Sequence, residues 1–310
     1  MSKPEYENVP DPASPLDLAP VAGRIGAEVR GATLTAALSD GDVAALRAAL
    51  ARHKVLFFRG QHHLDDDSHF ALGGRLGDVI GHPTATQDQS ALHLVEIDSH
   101  TGRVPNSWHT DMTFLDTYPE AALLRGVVVP PVGGDTLFAN TAAAYRHLPD
   151  QLRDFVDKGW AVHSNLYDYA ATRNDATEEE REYYTKVFAS TVYETAHPLV
   201  RVHPETGERS LVLGHFVQKI VDLSTVDSAR LFAILQEHIT RPENVVRWRW
   251  QPGDIVMWDN RATQHSAVAD FGTQRRIVRR ATLKGPAPVS IDGERSRVLR
   301  PKPAALAGAA

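Results

Sequence analysis

The chain has 310 residues, 42% of them hydrophobic and 23% charged, enough to bury a substantial core as one large domain or two small ones. A formal net charge of -6 offers nucleic acid no basic field, and no run approaches the roughly 18 apolar residues that span a bilayer. Cysteine is absent, which excludes disulfides, thiolate nucleophiles, Cys-ligated zinc and iron–sulfur clusters, so any metal site must draw on His, Asp and Glu.

The N-terminal stretch MSKPEYENVPDPASPLDLAP is polar and Pro-rich and lacks the apolar run of a signal peptide. It predicts a flexible arm over residues 1–17 and a cytoplasmic protein. GDVAALRAALARH (41–53) has helical spacing, and KVLFFRG (54–60) reads as a buried strand. LDDDSHFALGGRLG (64–77) predicts a capped helix whose acidic first turn suits the helix dipole. Strands are expected at LHLVEID (92–98), AALLRGVVV (121–129) and GDTLFAN (134–140). Residues 141–159 read as helix, restarted at Pro149, and 197–214 as a hairpin around a Gly-containing turn. An amphipathic helix (227–239) precedes the strand-like runs NVVRWRW, DIVMWDN and RRIVRRATLKG. Many short strands, a few helices and no βαβ alternation predict a mainly β fold with flanking helices and a double-stranded β-helix (jelly-roll) core. A single domain is expected over residues 18–298, followed by a loose tail at 299–310.

Within NSWHTDMTF (106–114), His109 and Asp111 are two positions apart, the spacing that puts both side chains on one face of a strand. An isolated H-x-D is usually a surface pair. The later segment WDNRATQHSAVADFGTQRRIVRR (258–280) supplies His265, and two histidines with one carboxylate make a facial triad suited to non-haem Fe(II). His62, His63, His147, His203 and His238 lie beside helices or a turn and read as solvated or structural. In RRIVRR, Arg276, Val278 and Arg280 share one strand face while Arg275 and Arg279 share the other. If the first pair points inward, each arginine offers a fork for an oxyanion, and two cations beside a metal imply anionic ligands.

These residues resemble a family. WHTDMTF, GGDTLFANTAAAY and GDIVMWDNRATQHSAVADFGTQRRIVRRATLKG look like the Fe(II)- and 2-oxoglutarate-dependent dioxygenases of the taurine dioxygenase superfamily, over residues 18 to 298. Thr136 lies 27 residues after His109, and Arg276 and Arg280 lie 11 and 15 after His265. The resemblance implies that His109, Asp111 and His265 bind iron, and that Thr136 and Arg276 hold the distal carboxylate of 2-oxoglutarate. It implies that Arg280 sits between this co-substrate and the substrate's anionic group, which His82 and the backbone N–H of Met112 also face. VAGRIGAEVRG, RHKVLFFRGQHHLDD, VYETAHPLVRVHPETGERSLVLGHFV and VVRWRWQPGD look most like bacterial alkylsulfatase dioxygenases. Taurine-using members carry a tyrosine and an asparagine where this chain has Ala85 and Pro105, so the groups that hold taurine's amine are missing.

The chemistry this implies hydroxylates the carbon bearing a sulfate ester, which then collapses to aldehyde and sulfate, while 2-oxoglutarate and O2 give succinate and CO2. The resemblance also implies a homo-oligomer, dimer or tetramer. Other small anions, such as a sulfonate or a phenoxyalkanoate, remain alternative substrates. A zinc hydrolase and a binding or sensor protein are rivals of other classes, which succinate formation with Fe(II) and O2 separates from the dioxygenase.

Overall fold

The computed structural model describes residues 6–83, 94–100, 104–167, 178, 182 and 191–301. In chain order, β1 (Asp17–Pro20) and β2 (Ala27–Arg30) lead to α1 (Asp40–His53), β3 (Val55–Phe58), α2 (Asp66–Leu76), β4 (Val79–Ile80) and β5 (Leu94–Asp98). Then come β6 (Ala121–Val128), β7 (Thr136–Asn140), α3 (Thr141–Arg146), α4 (Asp150–Val156), β8 (Trp160–Ser164) and β9 (Glu194–Pro198). The hairpin β10 (Val200–Val202) and β11 (Arg209–Leu211) precedes β12 (Val217–Ile220) and α5 (Thr225–Ile239). The last strands are β13 (Val245–Trp248), β14 (Ile255–Asp259), β15 (Thr263–Ala267), β16 (Ile277–Leu283) and β17 (Arg297–Arg300).

The apolar runs become the centre of an eight-stranded sheet, ordered β1-β2-β3-β14-β6-β16-β4, with β5 also paired to β16. Both faces of its central strands are covered, which is why VLFF, AALL and IVMW show no polar alternation. Period two still sorts them. Leu56 and Phe58 of β3, Ala121 and Leu123 of β6, Ile255 and Met257 of β14, and Ala281 and Leu283 of β16 pack under α1 and α2. Val55, Phe57, Ala122, Leu124, Val256, Trp258 and Val278 face the other way, onto Phe138 of β7 and Val246 and Trp248 of β13. Phe57 stacks on Trp248 with ring centroids 4.0 Å apart.

β13, β7 and β15 form the opposing antiparallel sheet, so the core is a sandwich of two facing sheets, the jelly-roll arrangement expected. A further sheet, β12-β8-β9-β17, packs with α3 and α5 around a second apolar cluster. Ser39 and Asp65 start α1 and α2 with capping boxes, each accepting from the backbone N–H three residues on. Among the described residues no helix is long and apolar enough to cross a membrane.

The ends depart from the arm and tail expected. Residues 1–5 and 302–310 lie outside the described residues, but the segment that follows residue 5 is anchored at Asn8. Asn8 is buried, its amide donating to Ala22 O at 2.9 Å and Gly26 O at 2.8 Å and its oxygen meeting His53 Nδ1 at 2.6 Å. At the other end β17 pairs with β9 through Arg300, past the expected start of the tail. Asn8→Ala removes a donor from two backbone carbonyls and the partner of a buried imidazole. It should cost about 2–3 kcal/mol in denaturant unfolding, whereas Asp11→Ala, at an exposed position, should stay within about 0.5 kcal/mol. Equal, negligible effects would show that the segment contributes nothing to stability.

Candidate active site

His109 and His265 are brought together by backbone pairing. His109 forms an isolated antiparallel bridge to His265 in β15, with His109 N donating to His265 O at 3.0 Å and the reverse bond at 2.8 Å. Such a doubly bonded pair fixes the two residues opposite each other, and their ring centroids lie 4.1 Å apart. His265 shares the inward face of β15 with its partner Phe138 on β7, and Trp258 flanks its ring at 4.8 Å. His109 Nδ1 lies 2.8 Å from Ser107 O, which makes Nδ1 the donor and Nε2 the nitrogen that carries the lone pair.

Asp111 does not share a strand with His109, as the i, i+2 reading supposed. The chain leaves the bridge and enters a turn, and Met112 takes a left-handed φ of 53°. The turn still delivers the carboxylate: Asp111 Oδ1 lies 3.6 Å from His109 Nε2 and 3.9 Å from His265 Nε2. The three ligand atoms fall within 4.8 Å of one another, and all three residues are buried. Among the described residues this is the one such group.

The donor set fits a divalent iron. Asp111 Oδ2 is buried without a hydrogen-bond partner, a cost unless a cation or donor meets it. Burial alone would raise the Asp111 pKa, but Arg280, then His265 and His109, outweigh it and hold the carboxyl well below its ordinary range. Two imidazole nitrogens with one ionised carboxylate leave coordination positions open, as redox iron sites require.

The four arginines of RRIVRR divide as the alternation predicts. Arg275 pairs outward with Asp98 at 2.7 Å, and Arg279 pairs with Glu96 at 2.6 Å and also with Asp66. Arg276 and Arg280 are buried. Arg280 Nη1 donates to Asp111 Oδ1 at 2.6 Å, so it grips the metal-site carboxylate itself, while its buried Nε has no partner. Arg276 has no carboxylate within ion-pair distance among the described residues. It donates from Nε to Gly134 O at 2.9 Å and from Nη2 to Thr136 Oγ1 at 3.4 Å. Burial pushes its pKa down to about 10. Thr136 Oγ1 also accepts from Trp250 Nε1 at 2.9 Å. The structure thus joins Thr136 to Arg276 and Asp111 to Arg280.

His82 lies on the Arg280 side, its ring edge-on to Phe114 with centroids 6.2 Å apart. Burial, then Arg280, lowers its pKa to about 4, so at neutral pH it is an uncharged imidazole. The Met112 side chain joins Phe114 and Phe216 in a small apolar cluster flanked by Ile80, Leu115 and Tyr193. Phe216 stands edge-on to His109 at 6.3 Å, which places this apolar wall beside the triad. Pro105 lies against β15, its carbonyl accepting from Ala267 N at 2.9 Å; Ala85 lies outside the described residues.

Sequence reasoning missed the residues that hold this turn. Asn260, buried just after β14, accepts from Asp111 N at 2.9 Å and donates to Asp111 O at 3.2 Å and Pro119 O at 2.9 Å. Its neighbour Asp259 is buried between Arg261, with bonds of 2.9 and 2.8 Å, and His203 Nε2 at 2.9 Å. Burial opposes ionisation of Asp259, but His203 and Arg261 hold its carboxyl low. His203 is therefore a core hydrogen-bond partner, its Nδ1 accepting from Glu205 N and Thr206 N. His238, expected on a helix surface, is buried as well. The polar run WDNR between two apolar strands was the available signal.

The fold and this site define a non-haem iron dioxygenase, and the comparisons agree. The taurine catabolism dioxygenase TauD, TfdA family matches residues 17–282, and the chain belongs to it. It is 57% identical to an alpha-ketoglutarate-dependent sulfate ester dioxygenase of Pseudomonas putida, over 92% of this chain and 95% of the relative. It is 48% identical to an alkylsulfatase of Acinetobacter baylyi, over 95% and 93% of the two chains. A solved structure described as a putative alpha-ketoglutarate-dependent taurine dioxygenase from Burkholderia xenovorans superposes with a TM-score of 0.77, at 37% identity over 93% and 96% of the chains.

Asp111→Ala removes the carboxylate and strands Arg280 in the interior. Equilibrium dialysis with Fe(II) should then show loss of stoichiometric binding, with no turnover. An iron-loaded, active variant would remove Asp111 from the ligand set.

Proposed function

We infer that the protein is an Fe(II)- and 2-oxoglutarate-dependent dioxygenase that releases sulfate from medium-chain alkyl sulfate esters. The observation that carries this reading is the buried, carboxylate-free Arg276 beside Thr136, on the strand whose Arg280 grips the triad's aspartate. A desolvated guanidinium needs an anion, and a bidentate pair with a carboxylate matches its planar fork. Thr136 and Arg276 are assigned to the distal carboxylate of 2-oxoglutarate, and His109, Asp111 and His265 to the iron. When bound, iron, 2-oxoglutarate and O2 supply oxidative decarboxylation to succinate and CO2, with the second oxygen atom entering a substrate C–H bond.

The protein's own part is placement. Arg280 is assigned to the space between the co-substrate and the sulfate, which the N–H of Met112 and the neutral His82 also face. Among the described residues that N–H has no acceptor, and the left-handed turn frees it for a ligand. Phe114, Phe216 and Met112 give the alkyl chain an apolar wall that excludes water from the reacting carbon. Hydroxylation of that carbon gives a hemiacetal sulfate, which loses sulfate as the carbon–oxygen bond to the ester breaks and the hydroxyl proton leaves. The products are an aldehyde and sulfate. Likeness to the sulfate ester dioxygenase and the alkylsulfatase supports this substrate over a sulfonate or a phenoxyalkanoate. The proposal extends to a homo-oligomer, dimer or tetramer, acting in the cytoplasm; light scattering that returns a 34.1 kDa monomer would remove the oligomer.

Arg276→Ala should raise the 2-oxoglutarate KM at least about tenfold, because hydrogen bonds to charged groups contribute about 1.5–3 kcal/mol each. Arg275→Ala, on the opposite face, should change it little; equal effects would remove Arg276 from the co-substrate site. With Fe(II), 2-oxoglutarate and O2, an alkyl sulfate should yield sulfate, aldehyde and succinate in equal amounts. Two added carbons should lower KM about tenfold until the pocket fills, at roughly 0.8 kcal/mol per buried CH₂. Succinate at background across the chain-length series, with a sulfonate or carboxylate driving turnover, would overturn the alkyl sulfate assignment and spare the dioxygenase class.

A further inference from the structure

Asp111 and Met112 open a loop that runs to Pro119, and different parts of the molecule hold its base and its middle. At the metal end, the Asn260 amide makes a closed two-point contact with the backbone of Asp111 and reaches across to Pro119 O. In the middle, at Thr113 and Phe114, β8 and β9 supply the pins. His197 Nε2 meets Thr113 O at 2.7 Å, His163 Nδ1 meets Thr113 Oγ1 at 2.9 Å, and Thr195 Oγ1 donates to Phe114 O at 2.9 Å. Tyr118, further along, lies edge-on to His197 and accepts from the buried Arg201 at 2.9 Å.

The His197 ring has one tautomer available. Thr113 O only accepts, so Nε2 carries the proton, and Nδ1 then accepts from the Ser296 hydroxyl at 2.6 Å. Both ring nitrogens are used, the ring is buried, and its orientation is fixed. Met112 sits between the two sets of pins at a φ of 53°, a conformation that persists only where the surroundings over-determine it. None of the β8 and β9 pins contacts the triad; they hold the backbone of Thr113 and Phe114, which forms the substrate side of the loop.

We propose that His197 is a positioning residue for the organic substrate, and that Asn260 is its counterpart for the metal. Because separate elements hold the base of the loop and its middle, each function can be impaired alone. The proposal rests on the alkyl sulfate reading for its kinetic consequence and on geometry for the rest. His197→Ala frees the Thr113 carbonyl, so the Met112 N–H and the Phe114 wall lose their fixed place. Asn260→Ala releases the Asp111 backbone and with it the carboxylate.

The test uses the full-length enzyme and three variants, His197→Ala, His197→Gln and Asn260→Ala, with Co(II) titration, hexyl sulfate kinetics and hydrogen exchange. His197→Ala should raise the hexyl sulfate KM about tenfold or more, since small misplacements near a reacting centre are expensive. It should also produce succinate in excess of sulfate, keep wild-type Co(II) affinity, and speed exchange in residues 112–118. His197→Gln, which keeps a donor for Thr113 O, should recover most of the coupling. Asn260→Ala should weaken Co(II) binding about 10- to 100-fold, the usual cost of losing an outer-shell partner. A His197→Ala enzyme with wild-type KM, coupling and exchange overturns the proposal. So does one whose Co(II) affinity falls as far as that of Asn260→Ala. If the wild type turns over no alkyl sulfate, the substrate reading fails; exchange and Co(II) affinity still decide whether the base and the middle of the loop are held separately.

Discussion

A guanidinium buried against a carboxylate, Arg280 on Asp111 at 2.6 Å, is the contact on which the site depends. Burying either charge alone would be costly. Together they keep Asp111 ionised between two imidazoles, and they draw the loop after Trp108 onto the face of the main sheet. The charge balance then points outward from the pair. One carboxylate, two inward guanidiniums and a ferrous ion leave three positive charges unanswered. The two carboxylates of 2-oxoglutarate and one sulfate monoester answer all three, which is the stoichiometry the proposed reaction uses.

Topology makes this pair possible. β16 lies beside β6 in a sheet whose other face is sealed by α1 and α2, so every second side chain must enter the sandwich. Val278 takes that role as core, and Arg280 takes it as function. A bulge between Ile277 and Val278 marks where the strand changes from regular pairing to the turn that carries Arg276. Opposite, β15 presents His265 on the same side as Phe138, so the two sheets meet at the metal ligands. The loop from Asp111 to Pro119 closes the gap, which is why so many buried polar groups converge on it.

Much of this was legible in the sequence, for identifiable reasons. Unbroken apolar runs revealed strands buried on both faces, and alternation in RRIVRR separated saturated surface cations from inward ones. His109, Asp111 and His265 were readable as a set because their chemistry is unusual in combination. Local spacing misjudged how Asp111 arrives: a left-handed residue and an asparagine 149 positions away do what a strand was expected to do. Histidines such as His197 and His203 carry no local mark of burial, since their partners lie on distant strands. The anchoring of Asn8 was hidden for the same reason, a polar side chain whose acceptors are the backbone of a turn elsewhere.

The central claim is that the triad and the inward arginines together hold iron and 2-oxoglutarate as one chelate. Anaerobic titration of 2-oxoglutarate into the Fe(II)-loaded protein, followed by visible absorption, tests this without any assumption about the organic substrate. A metal-to-ligand charge-transfer band that saturates at one equivalent of 2-oxoglutarate is the predicted result. A protein that binds Fe(II) stoichiometrically yet develops no band at any 2-oxoglutarate concentration would contradict the account.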